Sequence, residues 1–469
     1  MMIRFLMCLL VPCPALALEL DWSLSLPKRK PAWEHTPRMP LDREYRPVEF
    51  QNLILVGCEH NNALLALDKT NGRERWRFYT NGPIRFAPVV SDKLIFVGSD
   101  DGVLYCLDEK GNLKWSKRGG RSNRKIIGHE RMMSVWPIST RPVIHSGVIY
   151  TVAGYWPVDG IFIHALDANS GKSLWINRFA EFRPFGDLRI HEEKLIVLGH
   201  PRGAMFDLKS GQQFTGKHPK RKPITRTALK TKPKEQKNER ADTSRAEKLI
   251  KLAGAEGYCL IAGLKDGSLI EELLQKSSFH LVAIDKDRAL VNEIRSRLDR
   301  RGAFDTHRLD LIEADPESSG LPPYIASLIT TELTSSISDK LKECLRPYGG
   351  TLIEGDKVTR HEGALKGADD WRQEFHDEAN TLSSSDARVQ LPLGLLWYGG
   401  LAAHGRVYFD GFIDHQSGHG LNPQPVPAQI LEGRMILQSP GLLSAFDIYT
   451  GRRLWESPLP KMYTFGGPK

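Results

Sequence analysis

The chain has 469 residues, enough for two or three domains with sizeable hydrophobic cores. Its six cysteines include no C-x-x-C pair, so the composition gives no support to a cysteine metal site. Beyond the N-terminus no apolar stretch reaches the length of a membrane-spanning helix. The formal net charge is +9, and most of it is concentrated in residues 216–245.

The chain begins with a predicted secretory signal peptide, residues 1–17. In MMIRFLMCLLVPCPALALEL one Arg precedes an apolar run, and Ala15-x-Ala17 provides a small-residue cleavage site. The apolar run is too short to span a membrane, and Pro12 before Cys13 makes a poor lipoprotein box. We therefore expect a soluble mature protein exported to the periplasm or cell envelope.

A short motif with Asp, Gly and Trp at fixed spacing recurs through residues 43–215 and again near residue 450. Each copy follows a run rich in Val, Ile and Leu, which is typical of hairpin strands. Asp and Gly predict a tight turn after the second strand. Three copies are complete: LLALDKTNGRERW (64–76), IHALDANSGKSLW (163–175) and LSAFDIYTGRRLW (443–455). LYCLDEKGNLKW (104–115) is a shortened copy that lacks one residue before the Gly, and GAMFDLKSGQQF (203–214) is a worn copy that ends in Phe214.

Five copies indicate a repeat protein. Each unit is a small antiparallel sheet that cannot bury its faces alone, and radial stacking of such sheets predicts a β-propeller. Trp76 and Trp115 lie 39 residues apart, the length of a four-stranded blade. We expect the Trp residues to pack between blades, because large aromatic rings dominate packing. The alternative is a ring of aromatic residues that stack on a ligand.

The interval from Trp115 to Trp175 is longer and carries an excursion. It contains GGRSNRKIIGHERMMSVWP, residues 119–137, a basic loop. Either this loop is an exposed solubilising segment, or it forms a rim site for an anion. The residues that would hold the anion are Arg85, Arg121, Arg124 and Arg131.

The motif A-x-D-x-x-x-G-x-x-x-W resembles the pyrroloquinoline-quinone-type (PQQ-like) propeller repeat. Quinoprotein alcohol dehydrogenases and the propeller lipoprotein of outer-membrane assembly share this repeat. Residues 371–400, with Trp371, Asn380 and Trp397, also resemble the start of such a blade. The resemblance covers roughly two thirds of the chain and implies propeller blades in residues 43–215 and 356–469.

Residues 216–245 separate the repeats from a different kind of sequence. They carry eleven Lys or Arg and three acidic residues, a net charge of +8, with few large apolar side chains. Such a segment cannot pack and is expected to be a disordered, solvated linker. The alternative is a nucleic-acid-binding arm, which the lack of interleaved aromatic residues disfavours.

Residues 246–355 alternate apolar strand runs such as YCLIAG and HLVAID with amphipathic helix patterns such as KDRALVNEIRSRLDRRG. This alternation predicts a parallel, doubly wound α/β domain inserted between propeller blades.

The inserted segment resembles the core of an S-adenosylmethionine-dependent methyltransferase. The resemblance implies a cofactor loop in IAGLKDGSLIEEL, with Gly263 and Gly267, and a ribose-binding acid at Asp285. Leu264 and Lys265 depart from the dense glycine pattern of the family, and TTELTSS stands where a catalytic motif such as NPPY is usual. The family's last helix and antiparallel strand pair are expected to be missing after residue 355. The alternative is that the three residues only serve turns and caps.

Other candidate sites have weaker support. Cys58 and Cys106 occupy strand positions in adjacent blades, where they either pair or are simply buried. A metal site is not expected from the histidines and acids of a glycine-rich loop, which we interpret as solvated. Those residues are His404, Asp410, Asp414, His415 and His419.

The sequence predicts an exported scaffold or binding protein with a degenerate methyltransferase-like insert, protein partners on the propeller face, and self-association as an open alternative. We assign no catalytic residue, metal or nucleic-acid partner. One rival is an S-adenosylmethionine-dependent methyltransferase that uses the propeller to recognise its substrate. The other is a quinone-dependent dehydrogenase, and the PQQ cofactor is not expected because the chain lacks that family's adjacent cysteine pair.

Overall fold

The computed structural model describes residues 22–23, 46–58, 60–200, 202–214, 245–334, 336–391, 393–399, 428–439 and 442–458. The predicted signal peptide and the loop of histidines between residues 404 and 419 lie outside the described residues. So does the predicted linker, residues 216–245, apart from Arg245, which begins the first helix.

The first two repeats each form a four-stranded antiparallel sheet with its strands in chain order. The apolar runs of the motif are the central strands, which are buried on both faces. The strands are β1 (Val48–Phe50), β2 (Leu53–Cys58), β3 (Ala63–Asp68) and β4 (Glu74–Tyr79), then β5 (Val89–Ser91), β6 (Leu94–Gly98), β7 (Val103–Asp108) and β8 (Leu113–Arg118).

The excursion after Trp115 contains a hairpin of two buried strands, β9 (Lys125–Gly128) and β10 (Arg131–Ser134). The third repeat is a four-stranded sheet, and the worn fourth copy forms a three-stranded sheet, β16-β17-β19. The strands are β11 (Val143–His145), β12 (Val148–Ala153), β13 (Ile161–Asp167), β14 (Ser173–Phe179), β15 (Arg183–Pro184), β16 (Arg189–His191), β17 (Lys194–Val197), β18 (Gly199–His200) and β19 (Ala204–Asp207).

The segment after Arg245 forms a six-stranded sheet in the order β22-β21-β20-β23-β24-β25. The first five strands are parallel, and helices follow several of them. The elements are α1 (Arg245–Ala253), β20 (Glu256–Ala262), α2 (Ser268–Lys276), β21 (Ser278–Asp285), α3 (Arg288–Arg300), β22 (Leu309–Glu313), β23 (Ala326–Thr330), α4 (Asp339–Lys342), β24 (Gly350–Glu354) and β25 (Lys357–His361).

Strand β25 corrects the predicted end of this segment. It pairs antiparallel with β24 along its whole length, so the sheet continues past residue 355, where the sequence analysis expected the repeats to resume. The prediction was wrong because KVTRH is a largely exposed edge strand whose polar residues carry no buried-strand pattern. Gly355, at a φ of +60°, makes the tight reversal between the two strands.

The C-terminal part returns to the repeat fold with a four-stranded sheet. The described part of residues 371–400 does not form the expected blade. Instead β26 pairs in parallel with β9 of the distant hairpin, and Trp371 forms a single bridge to Ile430. The strands are β26 (Trp397–Tyr398), β27 (Gln429–Leu431), β28 (Arg434–Ser439), β29 (Leu442–Asp447) and β30 (Arg453–Pro458).

The Asp carbonyl of the motif accepts the N–H of the turn glycine in all five copies, across four residues in four copies and across three in the shortened one. In the third repeat the carbonyl of Asp167 accepts the N–H of Gly171 at 2.9 Å, and its Oδ1 accepts the N–H of Ser170 at 2.8 Å. In the shortened copy Gly111 donates to the Asp108 carbonyl at 3.0 Å. The glycine φ lies between +67° and +83° at Gly72, Gly111, Gly171, Gly211 and Gly451.

The Trp of one repeat packs on the turn glycine of the next. A Cβ on Gly171 would lie 2.6 Å from the Trp115 ring, whose Nε1 donates to the Ala168 carbonyl at 3.1 Å. The other four pairs share this arrangement, with donor distances of 2.8 to 3.1 Å. The predicted docking role is therefore confirmed for Trp115 and also for Trp76 on Gly111 and Trp175 on Gly211. Two rings for which no docking was predicted pack in the same way, Trp22 on Gly72 and Trp397 on Gly451.

The six-stranded sheet packs on the repeats through both of its faces. Because strand residues alternate between faces, Cys259 and Ile261 share a core with the first repeat, and Leu260 shares one with Ile127 and Met132 of the hairpin. Half-buried and buried polar groups form hydrogen bonds across the same boundary. The amide of Asn81 bonds the Glu313 backbone at 2.9 and 3.0 Å and accepts from Arg295 at 2.8 Å.

Among the helices of the described residues the longest, α3, has 13 residues. None in the described part of the chain has both the length and the apolar character that crossing a membrane requires.

Candidate functional site: the glycine loop of the six-stranded sheet

The two predicted cofactor glycines lie at the two ends of the loop that joins β20 to α2. Gly263 has a φ of +85° and donates its N–H to the carbonyl of Ile284 on the neighbouring strand at 2.9 Å. Gly267 has a φ of +75° and immediately precedes the first turn of α2. Both conformations favour glycine, and a cofactor role for these two residues stays a prediction.

Asp285 lies beside the loop at the carboxyl end of β21. Its Oδ2 accepts the N–H of Leu264 and its Oδ1 accepts the N–H of Asp287, both at 2.8 Å. The side chain is buried, so each carboxylate oxygen already has a backbone donor. The structure therefore brings Asp285 close to Gly263, as expected. The Asp285 carboxylate holds the loop against the end of β21.

A carboxylate of the same chain occupies the start of α2. Glu332 Oε2 accepts the N–H groups of Lys265 and Gly267 at 2.7 and 3.2 Å, and Oε1 accepts that of Leu269 at 3.0 Å. The first N–H groups of a helix have no partner within the helix and carry a partial positive charge, which makes them an anion-binding site. Here that position is taken by Glu332.

The residues around Glu332 also fill the space next to the loop. The Glu332 N–H donates to the Gly263 carbonyl at 3.1 Å, and a Cβ on Gly263 would lie 2.7 Å from Leu333 Cδ1. A ligand anion would have to displace Glu332 to reach the loop donors. Sequence reasoning missed this role and noted TTELTSS only for lacking a catalytic motif. The available signal was an acid directly after β23, whose carboxyl end lies at the same sheet edge as the loop.

Two of the four arginines of the predicted anion site come together. Arg85 and Arg131 line one pocket. Arg124 is exposed and forms an ion pair with Asp159, and Arg121 lies over the Phe162 ring at 5.6 Å. Sequence reasoning did not identify two aromatic residues of this pocket, Tyr155 and Tyr398.

The described residues contain no group of three or more His, Cys, Asp or Glu side chains arranged to hold a metal ion. The cysteines Cys58, Cys106, Cys259 and Cys344 are free and buried, so the alternative of a Cys58–Cys106 disulfide is wrong. Burial raises the pKa of the Cys58 and Cys106 thiols to about 12. These thiols are therefore core residues that stay protonated at neutral pH.

Comparison with known proteins finds similarity in the N-terminal repeats. Residues 22–135 match the family model described as outer membrane protein assembly factor BamB. The protein of that name from Yersinia pestis is 28% identical over 146 residues, which are 30% of this chain and 35% of that protein. The chain thus spans about a third of the length of the curated relative it matches.

Solved structures with similarity include BamB from Moraxella catarrhalis, at 17% identity over 36% of this chain and 46% of that chain, with a TM-score of 0.28. They also include the quinohemoprotein alcohol dehydrogenase of Comamonas testosteroni, at 14% identity over 37% of this chain and 35% of that chain, with a TM-score of 0.30. The sequence matches and the repeat geometry together identify a mostly β-sheet chain with PQQ-like, BamB-type repeats of the propeller type.

Proposed function

We propose that this chain is a binding scaffold of the periplasm or cell envelope, whose propeller-type repeats present a rigid surface to protein partners, and that it does not transfer methyl groups. The similarity of residues 22–135 to an outer membrane protein assembly factor supports the scaffold role. The predicted signal peptide supports export. Docked repeat sheets are rigid elements whose connecting loops are free to bind partners.

The observation that carries this proposal is the position of Glu332. Its two carboxylate oxygens accept three N–H groups of the loop and of helix α2. A ligand carboxylate or phosphate would need those same donors. Exchanging the Glu332 carboxylate for a ligand anion gains little binding free energy. The displaced carboxylate must be solvated again, and the ligand loses translational and rotational entropy.

The second candidate function is S-adenosylmethionine-dependent methyl transfer. It is favoured by the strand order, in which β20 lies between β21 and β23 where the order reverses, with Gly263 at the carboxyl end of β20. Ligands of open α/β sheets bind at this position. The methyltransferase-like character of the segment is part of this proposal, and the function requires Glu332 to leave the loop.

A quinone-dependent dehydrogenase has less support. The sequence contains no adjacent cysteine pair, and the four described cysteines are separate, buried thiols.

A calorimetric titration of S-adenosylmethionine into the purified chain distinguishes the two candidates. Three variants are compared with the wild type: Glu332→Ala opens the loop, Asp285→Asn weakens the predicted ribose site, and Glu317→Ala is a matched control because Glu317 is exposed on another loop. We expect no binding at millimolar ligand in the wild type or in Glu317→Ala. Micromolar binding by the wild type that Asp285→Asn abolishes would overturn the proposal in favour of the methyltransferase.

A further inference from the structure

The outer strand of the third repeat, β14, is the last strand of its sheet, and no strand in the described part of the chain pairs with its other edge. From Trp175 to Phe179 it pairs regularly with β13, so its backbone is extended. A register shift precedes this stretch in every four-stranded repeat, so the shift does not distinguish β14 from the other outer strands. The N–H and C=O groups of such an edge can pair with another strand.

The residues on either side of the Trp distinguish β14 from the outer strands of the three other four-stranded repeats that the structure describes. In each of those strands at least one of the two flanking residues is charged. The charged residues are Arg75 and Arg77 in β4, Lys114 in β8 and Glu456 in β30. In β14 the two residues are Leu174 and Ile176, which are 55% and 52% exposed. Charged side chains protect a sheet edge from pairing, and β14 lacks this protection beside its Trp.

The exposed side chains of β14 form a row at alternate positions, with a cation at each end and apolar residues between. The members of this row are Lys172, Leu174, Ile176 and Arg178. The half-buried residues between them contact the fourth repeat, since Trp175 Nε1 and Asn177 Nδ2 donate to its backbone carbonyls at 2.9 and 2.6 Å. The exposed row therefore offers a different set of side chains from the ones that dock the neighbouring repeat.

A second copy of this chain is a poor match for the row. Antiparallel pairing about a twofold axis that places Leu174 opposite Ile176 of the other copy also places Lys172 opposite its Arg178. Like charges directly opposite each other destabilise a strand pair, whereas opposite charges stabilise it. Shifting the pairing so that Leu174 faces Arg178 separates the apolar residues. The charges of the row are complemented instead by a strand with acidic residues at both ends.

We propose that β14 binds an extended peptide segment of a partner protein, which adds a strand to the sheet of the third repeat. The added strand carries apolar residues beside Leu174 and Ile176 and acidic residues near Lys172 and Arg178. Main-chain hydrogen bonds supply affinity in this mode of recognition, and the alternating side chains supply specificity. The inference rests on the proposed scaffold role and names the surface and the partner chemistry for it.

Fluorescence anisotropy of the labelled peptide Asp-Thr-Val-Thr-Val-Thr-Asp tests the site on the purified chain. We expect a Kd below about 1 mM for the wild type. Binding should be at least about tenfold weaker in Ile176→Arg, which gives β14 the kind of residue that β4 carries after its Trp. Ser116→Arg is the matched control, because it adds the same charge at the corresponding exposed position of β8 and should bind as the wild type does. A peptide with Pro in place of the central Thr should bind weakly, because Pro cannot donate to the strand pairing.

Exchanging the charges tests the chemistry of the partner. A peptide with Lys in place of both Asp residues should bind the wild type at least about threefold more weakly than the acidic peptide. Arg178→Glu should lose this preference, because Arg178 is exposed and its charge contributes to recognition and not to the core. Equal binding of the acidic and basic peptides by the wild type would overturn the acidic partner.

Amide hydrogen exchange identifies the strand that pairs. The acidic peptide should slow the exchange of β14 amides and leave those of β4 and β8 unchanged. Absence of binding, or equal binding by Ile176→Arg, overturns the proposal. A concentration-dependent dimer in peptide-free buffer that Ile176→Arg abolishes would assign the edge to a second copy instead. The S-adenosylmethionine titration tests the proposed function separately, so a failed peptide test with no S-adenosylmethionine binding rejects β14 as the surface and not the scaffold role.

Discussion

The repeat turns and the glycine loop of the six-stranded sheet both contain a glycine at positive φ, but the two glycines pack against different kinds of partner. In both, a glycine at positive φ lets another part of the chain approach closely: the Trp115 ring at Gly171, and Leu333 at Gly263. In the repeats the partner comes from the neighbouring copy of the same motif. In the glycine loop it comes from a segment about 70 residues further along that shares no motif with the loop. A glycine loop is therefore a ligand site only if the fold leaves its donors open.

The largest effect is expected from Gly171→Ala. The new methyl group would lie 2.6 Å from the Trp115 ring at a φ of +68°, so both overpacking and backbone strain act. We expect a loss of about 3 kcal/mol in the free energy of unfolding.

Urea unfolding followed by tryptophan fluorescence checks this value against Gly147→Ala. Gly147 has a φ of +74° with nothing within 4 Å of its Cβ position. The variant Gly147→Ala should lower the free energy of unfolding by only about 1 kcal/mol, through backbone strain. Equal losses in the two variants would show that the ring does not dock on Gly171.

A somewhat smaller loss is expected from Trp115→Ala. The ring is half-buried and its Nε1 donates to the Ala168 carbonyl, so its removal should cost about 2 to 3 kcal/mol. Trp455, at the same position of the last repeat, is 39% exposed. Trp455→Ala should cost less than about 1 kcal/mol. The docking account is contradicted if the exposed ring proves as important as the docked one in the same unfolding assay.

The variant Glu332→Ala measures how much stability the closed glycine loop contributes, for comparison with the repeat turns. It removes an acceptor shared by three backbone N–H groups, two in the loop and one in the first turn of α2. We expect a loss of about 2 kcal/mol in the free energy of unfolding. Glu317→Ala should change it by less than about 0.5 kcal/mol, since Glu317 is exposed. A neutral Glu332→Ala would mean that Glu332 does not hold the loop.

Lys125 makes stability depend on pH. It joins the hairpin to the segment between β22 and β23 by donating to the Ser319 carbonyl at 2.5 Å. Burial lowers the pKa of Lys125 to about 8 from its usual value near 10.5. Between these two pH values the unfolded chain binds more protons than the folded chain, so stability due to Lys125 rises with pH. We expect a rise of about 2 to 3 kcal/mol between pH 8 and 10.5.

The comparison with Lys125→Met isolates this contribution, because the raised thiol pKa values of Cys58 and Cys106 act in the opposite direction at high pH and are common to both proteins. The difference in free energy of unfolding, wild type minus variant, should increase from pH 8 to pH 10. A difference that stays flat would mean that Lys125 titrates normally.

The sequence predicted the parts of this fold that depend on local chemistry. Asp167, Gly171 and Trp175 each have the role that their spacing indicated. Local sequence patterns could not predict which distant segments pair with each other. Nothing in residues 371–400 indicates that β26 pairs with a hairpin some 270 residues earlier.

The candidate site shows the same limit. Gly263, Gly267 and Asp285 were placed at one loop because strand ends and turns have sequence signatures. The contacts of Glu332 with the loop depend on which side chains the fold brings together. Only three-dimensional contacts reveal them.

Amide hydrogen exchange of Lys265, Gly267 and Leu269, with and without S-adenosylmethionine, tests most directly whether the loop is closed. If Glu332 occupies these donors, they are protected in the free protein and their exchange does not change on adding millimolar S-adenosylmethionine. Fast exchange in the free protein that becomes slow with the ligand would contradict the account and identify the loop as an open cofactor site.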